Sequence, residues 1–338
     1  MIKLPFFTLG IICMAVVALQ AQDPVFSQFH AAPIQTNPAF AGVAFAPRLT
    51  ANYRNQWPQW PNAYSTYAVA YDQWIEGMNS GVGLRIMADN AGNGLYRTMH
   101  TAVTYSYQVQ VADQLYFRLG AEAGFLQNRI NWNALVFGDQ LNPINGNGGG
   151  QTSSETPPDN FTQFDFDAAA GLLVFNSNFH FGLALHHISS PDVGFLNTNS
   201  NLYGGVPLRF ALHGGLEIPL LTNNNADGEA FLSPNILFVS QGDFAQLNGG
   251  VYAGFSRFFA GAWYRHTFGN SDAAILSGGF RYGILKIGYS YDWTLSALGD
   301  AGTGGAHEVS FTLNLGDSRA WKRQRNKPDL NNCFKLFR

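Results

Sequence analysis

Charge is scarce in this 338-residue sequence: Asp, Glu, Lys and Arg make up 12% of it, against about 25% in ordinary soluble domains. Cysteine is nearly missing, with Cys13 and Cys333 the two examples, so a disulfide framework is excluded. Long apolar runs are missing too. Phe6 to Leu19 is too short to cross a bilayer, and no later stretch reaches the roughly 18 residues that a spanning helix needs. With a mean hydropathy of -0.06, the chain is not a helical membrane protein. The glycine-rich Asn145–Gly150 follows no strand-to-helix pattern, which rules out a phosphate-cradling loop.

What is abundant is glycine, with 37 residues, and aromatics at 14%, including 28 Phe. Few charges, many small residues and many aromatics suit a transmembrane β-barrel. Such a barrel is apolar outside, small or polar inside, and aromatic at the two interfaces. Lys3, the apolar run and small Ala21 before Gln22 predict a secretory signal over 1–21, cut after Ala21. Bulky Ile12 ahead of Cys13 argues against a lipoprotein signal.

Alternation dominates the rest. Leu285, Ile287, Tyr289, Tyr291 and Trp293 share one face, opposite Lys286, Gly288, Ser290 and Asp292. Val309, Phe311, Leu313 and Leu315 oppose Glu308, Ser310, Thr312 and Asn314. A period of two sends successive side chains to opposite faces of a strand. One flank is too uniformly apolar for water and the other carries charge.

The pattern predicts fourteen strands, near 48–57, 63–74, 80–89, 96–110, 114–127, 163–175, 178–188, 206–218, 229–240, 244–254, 257–267, 272–282, 284–293 and 306–316. Each is close to the length of a tilted transmembrane strand, and the even number fits an outer-membrane barrel. The longest connections follow strands 5, 7 and 13, all odd-to-even, while most even-to-odd links are tight. That asymmetry puts long loops outside the cell and short turns, with both chain ends, in the periplasm. The expected organisation is a signal peptide over 1–21, a leader over 22–47, a barrel over 48–316 and a basic tail over 317–338.

The leader, with Phe26, Phe29, Phe40 and Phe45, is aperiodic and too aromatic to hang in water. A fourteen-stranded barrel is also too wide for its own side chains to fill. The leader is therefore expected to act as a periplasmic plug or latch, or to form an ordered collar. Inward Arg54, Arg85, Arg118, Arg209, Glu217 and Glu308 are positioned by parity to satisfy its backbone. The tail carries seven basic residues against Asp317 and Asp329, whereas 22–316 holds 11 basic and 20 acidic residues. It reads either as an anchor for anionic head groups or as a handle for an acidic periplasmic partner. In the second reading Trp321, Lys322, Arg323 and Arg325 bind that partner, with Phe334 and Phe337 as further apolar anchors. Nucleic acid is not an expected partner.

The leader also carries a resemblance. Asp23, Pro24, Phe26, Ser27, Gln28 and Phe29, then Asn37, Pro38, Phe40 and Gly42, resemble the start of the PorP/SprF family of type IX secretion outer-membrane proteins. Tyr53, Arg54, Gln56 and Trp57 are similar to that family's Y-R-x-Q-W. Trp132–Pro143, the triplet Tyr291, Asp292 and Trp293, and His307 with Glu308 continue the match. The resemblance implies an outer membrane of the Bacteroidetes type. It also implies help in exporting or anchoring adhesin-type cargo with a C-terminal signal domain, gliding adhesins included. Periplasmic and lipoprotein subunits of the secretion machinery are the implied neighbours.

No enzyme chemistry stands out, and no cofactor or metal site is expected. His180 and His186, inward on one strand, lie roughly 20 Å apart, and His187 should face away from them. Asp165 and Asp167 should point inward and pair with arginine. His187 and Ser189 are close in sequence, but lack an evident third group. The competing function is passive: a porin, or a channel resembling the FadL family for small or hydrophobic solutes.

Overall fold

The computed structural model describes residues 22–60, 64–141, 153–195, 205–221, 230–268, 270–295, 302–318, Phe334 and Phe337. The strands are β1 (Arg48–Gln56), β2 (Tyr64–Ile75), β3 (Ser80–Ala91), β4 (Tyr96–Ala112), β5 (Leu115–Ile130), β6 (Thr162–Phe175) and β7 (Phe179–His186). They continue as β8 (Arg209–Leu216, resuming at Ile218–Leu221), β9 (Ala230–Gln241), β10 (Phe244–Phe255), β11 (Phe258–Thr267), β12 (Asn270–Tyr282), β13 (Leu285–Thr294) and β14 (Ala306–Asn314). Every strand pairs antiparallel with its neighbours in sequence, and β14 returns to β1 with Asn314 beside Arg48. The result is a closed fourteen-stranded barrel with no free edge, as membrane-spanning sheet requires.

Each predicted strand is present. β9 and β10, where Pro234 and the Gly249–Gly250 pair interrupt the pattern, pair along their whole length. Pro234 is tolerated inside β9 because β8 breaks at Glu217. There the β9 register to β8 passes from Asn235 to Leu232 without partners for Ser233 or Pro234. A residue without an N–H fits at such an interruption.

The side-chain distribution is inverted relative to a soluble protein. Arg48, Arg118 and Glu308 are fully buried, whereas Val69, Leu119 and Leu276 are 47%, 52% and 65% exposed. Such a continuous apolar exterior calls for lipid. Among the described residues no helix is long and apolar enough to cross a membrane; the strands make the crossing. The strand ends that flank connections 131–161, 187–208 and 295–305 lie at one end of the barrel, called here the long-loop end. Turns 76–79, 113–114, 176–178, 256–257 and 283–284 lie at the other, the short-turn end. Pro47 and Leu315, where the leader enters β1 and the chain leaves β14, meet at the short-turn end through the bond from Leu315 N to the Pro47 carbonyl, 3.0 Å.

Candidate functional site

Residues 23–46 run inside the barrel, from a level near the ends of β7, β8 and β9 at the long-loop side down to the start of β1. Three single turns break this path: Phe29–Ala31, Pro33–Thr36 and Pro38–Phe40. Proline opens the second and third, where its fixed φ suits a first helical position and its missing N–H costs nothing. Such short turns leave backbone groups unpaired, and the barrel wall supplies partners for them at three levels.

At the first level Glu308 accepts from the backbone N–H groups of Ser27 (2.8 Å) and Gln28 (2.9 Å). Gln28 Nε2 donates to the Glu308 carbonyl at 3.1 Å, and Ser310 donates to Gln28 Oε1 at 2.8 Å. The Ser27 hydroxyl donates to Asp292 at 2.7 Å and accepts from Arg54 (2.7 Å) and Arg265 (2.6 Å). Arg54 and Arg265 each reach Asp292 at 2.9 Å, and Arg54 reaches Glu308 at 3.3 Å. Two guanidinium and two carboxylate groups thus balance inside the lumen, which a buried ion cluster must do to persist. Five segments of the chain meet here: Ser27 with Gln28, Arg54, Arg265, Asp292, and Glu308 with Ser310. Arg265 was not singled out by sequence. Its parity with buried Trp263 was the available signal.

At the second level Asn37 bonds to the leader's own backbone and to the wall. Its Oδ1 accepts from Ala39 N at 2.8 Å, and its Nδ2 donates to the carbonyls of Leu172 (3.0 Å) and Leu183 (3.2 Å). Wall glycines make room: a Cβ on Gly120 would collide with the Ala39 backbone, and one on Gly171 with the Asn37 amide. Phe40 stacks on His213 with 4.9 Å between ring centroids, and Phe29 meets Trp263 edge-on at 5.2 Å. Phe26 packs with Ala32, Ala68 and Met87.

At the third level, near the short-turn end, Gly42 adopts φ +71 and donates to Asp72 at 2.7 Å. A Cβ there would approach Gly81 Cα to 2.8 Å. Asp72 also pairs with fully buried Arg48 at 2.8 Å. The Ala41 carbonyl accepts from Ser106 (2.8 Å) and Arg118 (3.0 Å). The Arg118 guanidinium lies over the rings of Trp74 and Phe45.

The start of the leader sits in a polar cluster beside a small cavity lined by Asp23, Pro24, Arg85, His100, His186 and Arg209 among others. Asp23 meets His187 at 2.7 Å and Arg209 at 3.4 Å. Burial by itself raises the Asp23 pKa. Contact with protonated His187 and with Arg209 outweighs that and holds the carboxyl well below its ordinary range. His30, also in the leader, is held well below its ordinary value by burial, with the charge of Lys286 the second cause.

Several expectations are corrected here. His187 does not face away from the lumen: β7 ends at His186, and a φ of +59 at His187 turns its ring inward, leaving it 2% exposed. Asp167 pairs with histidine rather than arginine, at 3.0 Å from His187 and 3.1 Å from His100. Arg85 serves the wall, pairing with Glu122 at 2.8 Å, instead of the leader. Ser189 donates to the Phe166 carbonyl at 2.9 Å, so no serine–histidine nucleophile is assembled there. No group of three metal-binding side chains occurs among the described residues.

The remaining motif residues lie away from the lumen cluster. Tyr53 is exposed on the outer face against Tyr67 at 4.9 Å. Gln56 ends β1, and Trp57 follows with its N–H on the Gly305 carbonyl at 2.8 Å and its ring near Trp60. His307 faces out with Tyr291, 5.0 Å between ring centroids, and accepts or donates with the Tyr289 hydroxyl at 2.8 Å. Trp293 is 65% exposed. Trp321, Lys322, Arg323 and Arg325 lie outside the described residues, as do residues 1–21. Phe334 and Phe337 are described, and both are buried.

A closed antiparallel barrel with an apolar exterior and ion pairs inside is an outer-membrane β-barrel protein. Its residues 18–313 match the family described as type IX secretion system membrane protein PorP/SprF. The chain belongs to that family. Among solved structures it is similar to the P. putida toluene transporter TodX, with TM-score 0.46 and 10% identity over 82% of this chain and 92% of that one. It is also similar to the CymD monoaromatic hydrocarbon channel, with TM-score 0.43 and 11% identity over 86% and 93%. BamA from Haemophilus ducreyi aligns with TM-score 0.38 and 9% identity over 79% and 69%. No curated protein matches the chain significantly.

Proposed function

We propose that this barrel supports the export and surface anchoring of type IX cargo, adhesin-type proteins with a C-terminal signal domain, by a non-enzymatic route. Residues 1–21 are the signal peptide that delivers it, and residues 22–47 plug the lumen. Cargo engages the long-loop end from outside the cell. Family membership implies association with the secretion machinery, and its periplasmic and lipoprotein subunits meet the short-turn end.

The observation that carries this reading is the contact of Ser27 and Gln28 with Arg54, Asp292 and Glu308. The stretches that resemble the family converge there to fasten the leader, and no catalytic group is needed to explain them. A blocked lumen suits an anchor better than a conduit. Deleting Asp23–Gly42 should leave the barrel inserted, abolish surface display of cargo and raise single-channel conductance in planar bilayers. Normal display by the deletion would reject the leader's role. High conductance by the intact chain would favour the porin or FadL-like alternative.

A further inference from the structure

Phe334 and Phe337, near the C-terminal end, are 0% and 3% exposed, although Ser318, the preceding described residue, lies at the short-turn rim. Their rings occupy a box built half from the leader and half from the wall. Phe334 packs edge-on against Phe175 at 5.0 Å and lies near Phe40 at 6.1 Å. Phe337 stacks on Phe40 at 5.0 Å and meets His180 edge-on at 5.1 Å. Arg48 adds one polar tie: Nε and Nη2 hold Asp72, while Nη1 donates to the Phe337 carbonyl at 2.8 Å.

This is the contact set of a bound peptide. Two aromatic anchors three residues apart fill adjoining pockets, and one carbonyl is capped by a pre-positioned arginine. It differs from the leader, which is fastened at three levels by side-chain and backbone bonds. Among the described residues, Phe334 and Phe337 make no strand pairing. Arg48 is already held by Asp72, so its free fork is presented whether or not the peptide is there.

We propose that the aromatic box at the short-turn end is a peptide-binding site for a Phe-x-x-Phe sequence, occupied in cis and reversibly by this chain's own Phe334 and Phe337. The proposal rests on the barrel reading but not on the cargo role. A tether supplies an effective concentration of roughly millimolar, so a segment bound nine-tenths of the time needs an intrinsic Kd on the order of 0.1 mM or tighter. Release uncovers Phe40 of the leader from below and leaves the box open to a second Phe-x-x-Phe peptide.

The test uses a fluorescently labelled Phe-Lys-Leu-Phe-Arg peptide and detergent-solubilised protein in three forms. These are the full chain, a truncation after Ser318, and the full chain carrying Phe334→Ala and Phe337→Ala. The peptide should saturate the truncated and doubly substituted forms with a Kd near or below about 0.1 mM. It should bind the full chain at least tenfold more weakly, and a peptide with both Phe replaced by Ala should bind none of them. The double substitution keeps the test decisive if the truncation does not fold. Failure of the peptide to bind a folded, heat-modifiable double variant would overturn the proposal, as would equal binding to all three forms. Either result leaves the barrel standing; protein that is soluble and monodisperse without detergent would instead overturn the barrel.

Discussion

Glu308→Ala gives the sharpest access to how the leader is held. Glu308 receives the backbone N–H groups of Ser27 and Gln28 and one arm of Arg54, all buried. Its removal strands two backbone donors, each worth about 1–2 kcal/mol when left unsatisfied in a dry site. The cluster also passes from two cations and two anions to one uncompensated positive charge, which adds to the cost. Relief from burying a carboxylate acts the other way, but Arg54 and Arg265 then share Asp292 alone. A net loss of about 3 kcal/mol corresponds to roughly a 150-fold larger undocked population. Maleimide labelling of Ala32→Cys, 1% exposed in the docked leader, reads that population in a Cys333→Ser background. The labelling rate should rise about a hundredfold, while heat-modifiable migration on gels shows the barrel intact. Glu308→Gln, which keeps an acceptor but not the charge, should fall between. Labelling within twofold of the parent would refute the view that Glu308 fastens the leader.

Docking of the leader should also weaken in acid. His30 is buried with its pKa well below the ordinary 6.5, so the undocked leader takes up a proton that the docked one refuses. His30's contribution is constant above about pH 6.5 and weakens docking as pH falls below it, by up to about 1.4 kcal/mol or tenfold per unit. Asp23, whose pKa is lowered from 3.8, adds its own loss only in stronger acid. Labelling of Ala32→Cys relative to an exposed-cysteine control should show this slope, and His30→Phe should flatten it. On the lipid face, Leu119→Arg should cost about 2–4 kcal/mol in urea unfolding of vesicle-inserted barrel. A loss under about 0.5 kcal/mol would contradict the membrane assignment of that flank.

Strand number and the identity of the inward face were legible because a period of two is a local property. A single strand reveals it without knowledge of its neighbours. Arg54, Arg118, Arg209 and Glu308 were assigned to the lumen in this way, and each is buried there. The same rule failed at His187, where the strand stops and a positive φ reverses the side chain. Parity has no meaning past the last strand residue. Ser27, Asn37 and Gly42 were visible as motif residues, but not what each one touches. Asp72 and Arg265 carried no motif and were passed over.

Local alternation, loop lengths and composition therefore determined a barrel with an occupant to accommodate. Only closure of the sheet decided which inward residues face one another, because the stagger between strands sets heights inside the lumen that no single strand records. Asp292 and Glu308 meet Ser27 for that reason, and Asp167 meets histidine instead of arginine. The same closure creates the aromatic box that takes Phe334 and Phe337. Their place in a basic tail suggested apolar anchors for a periplasmic partner, and the fold buries them against Phe40 within.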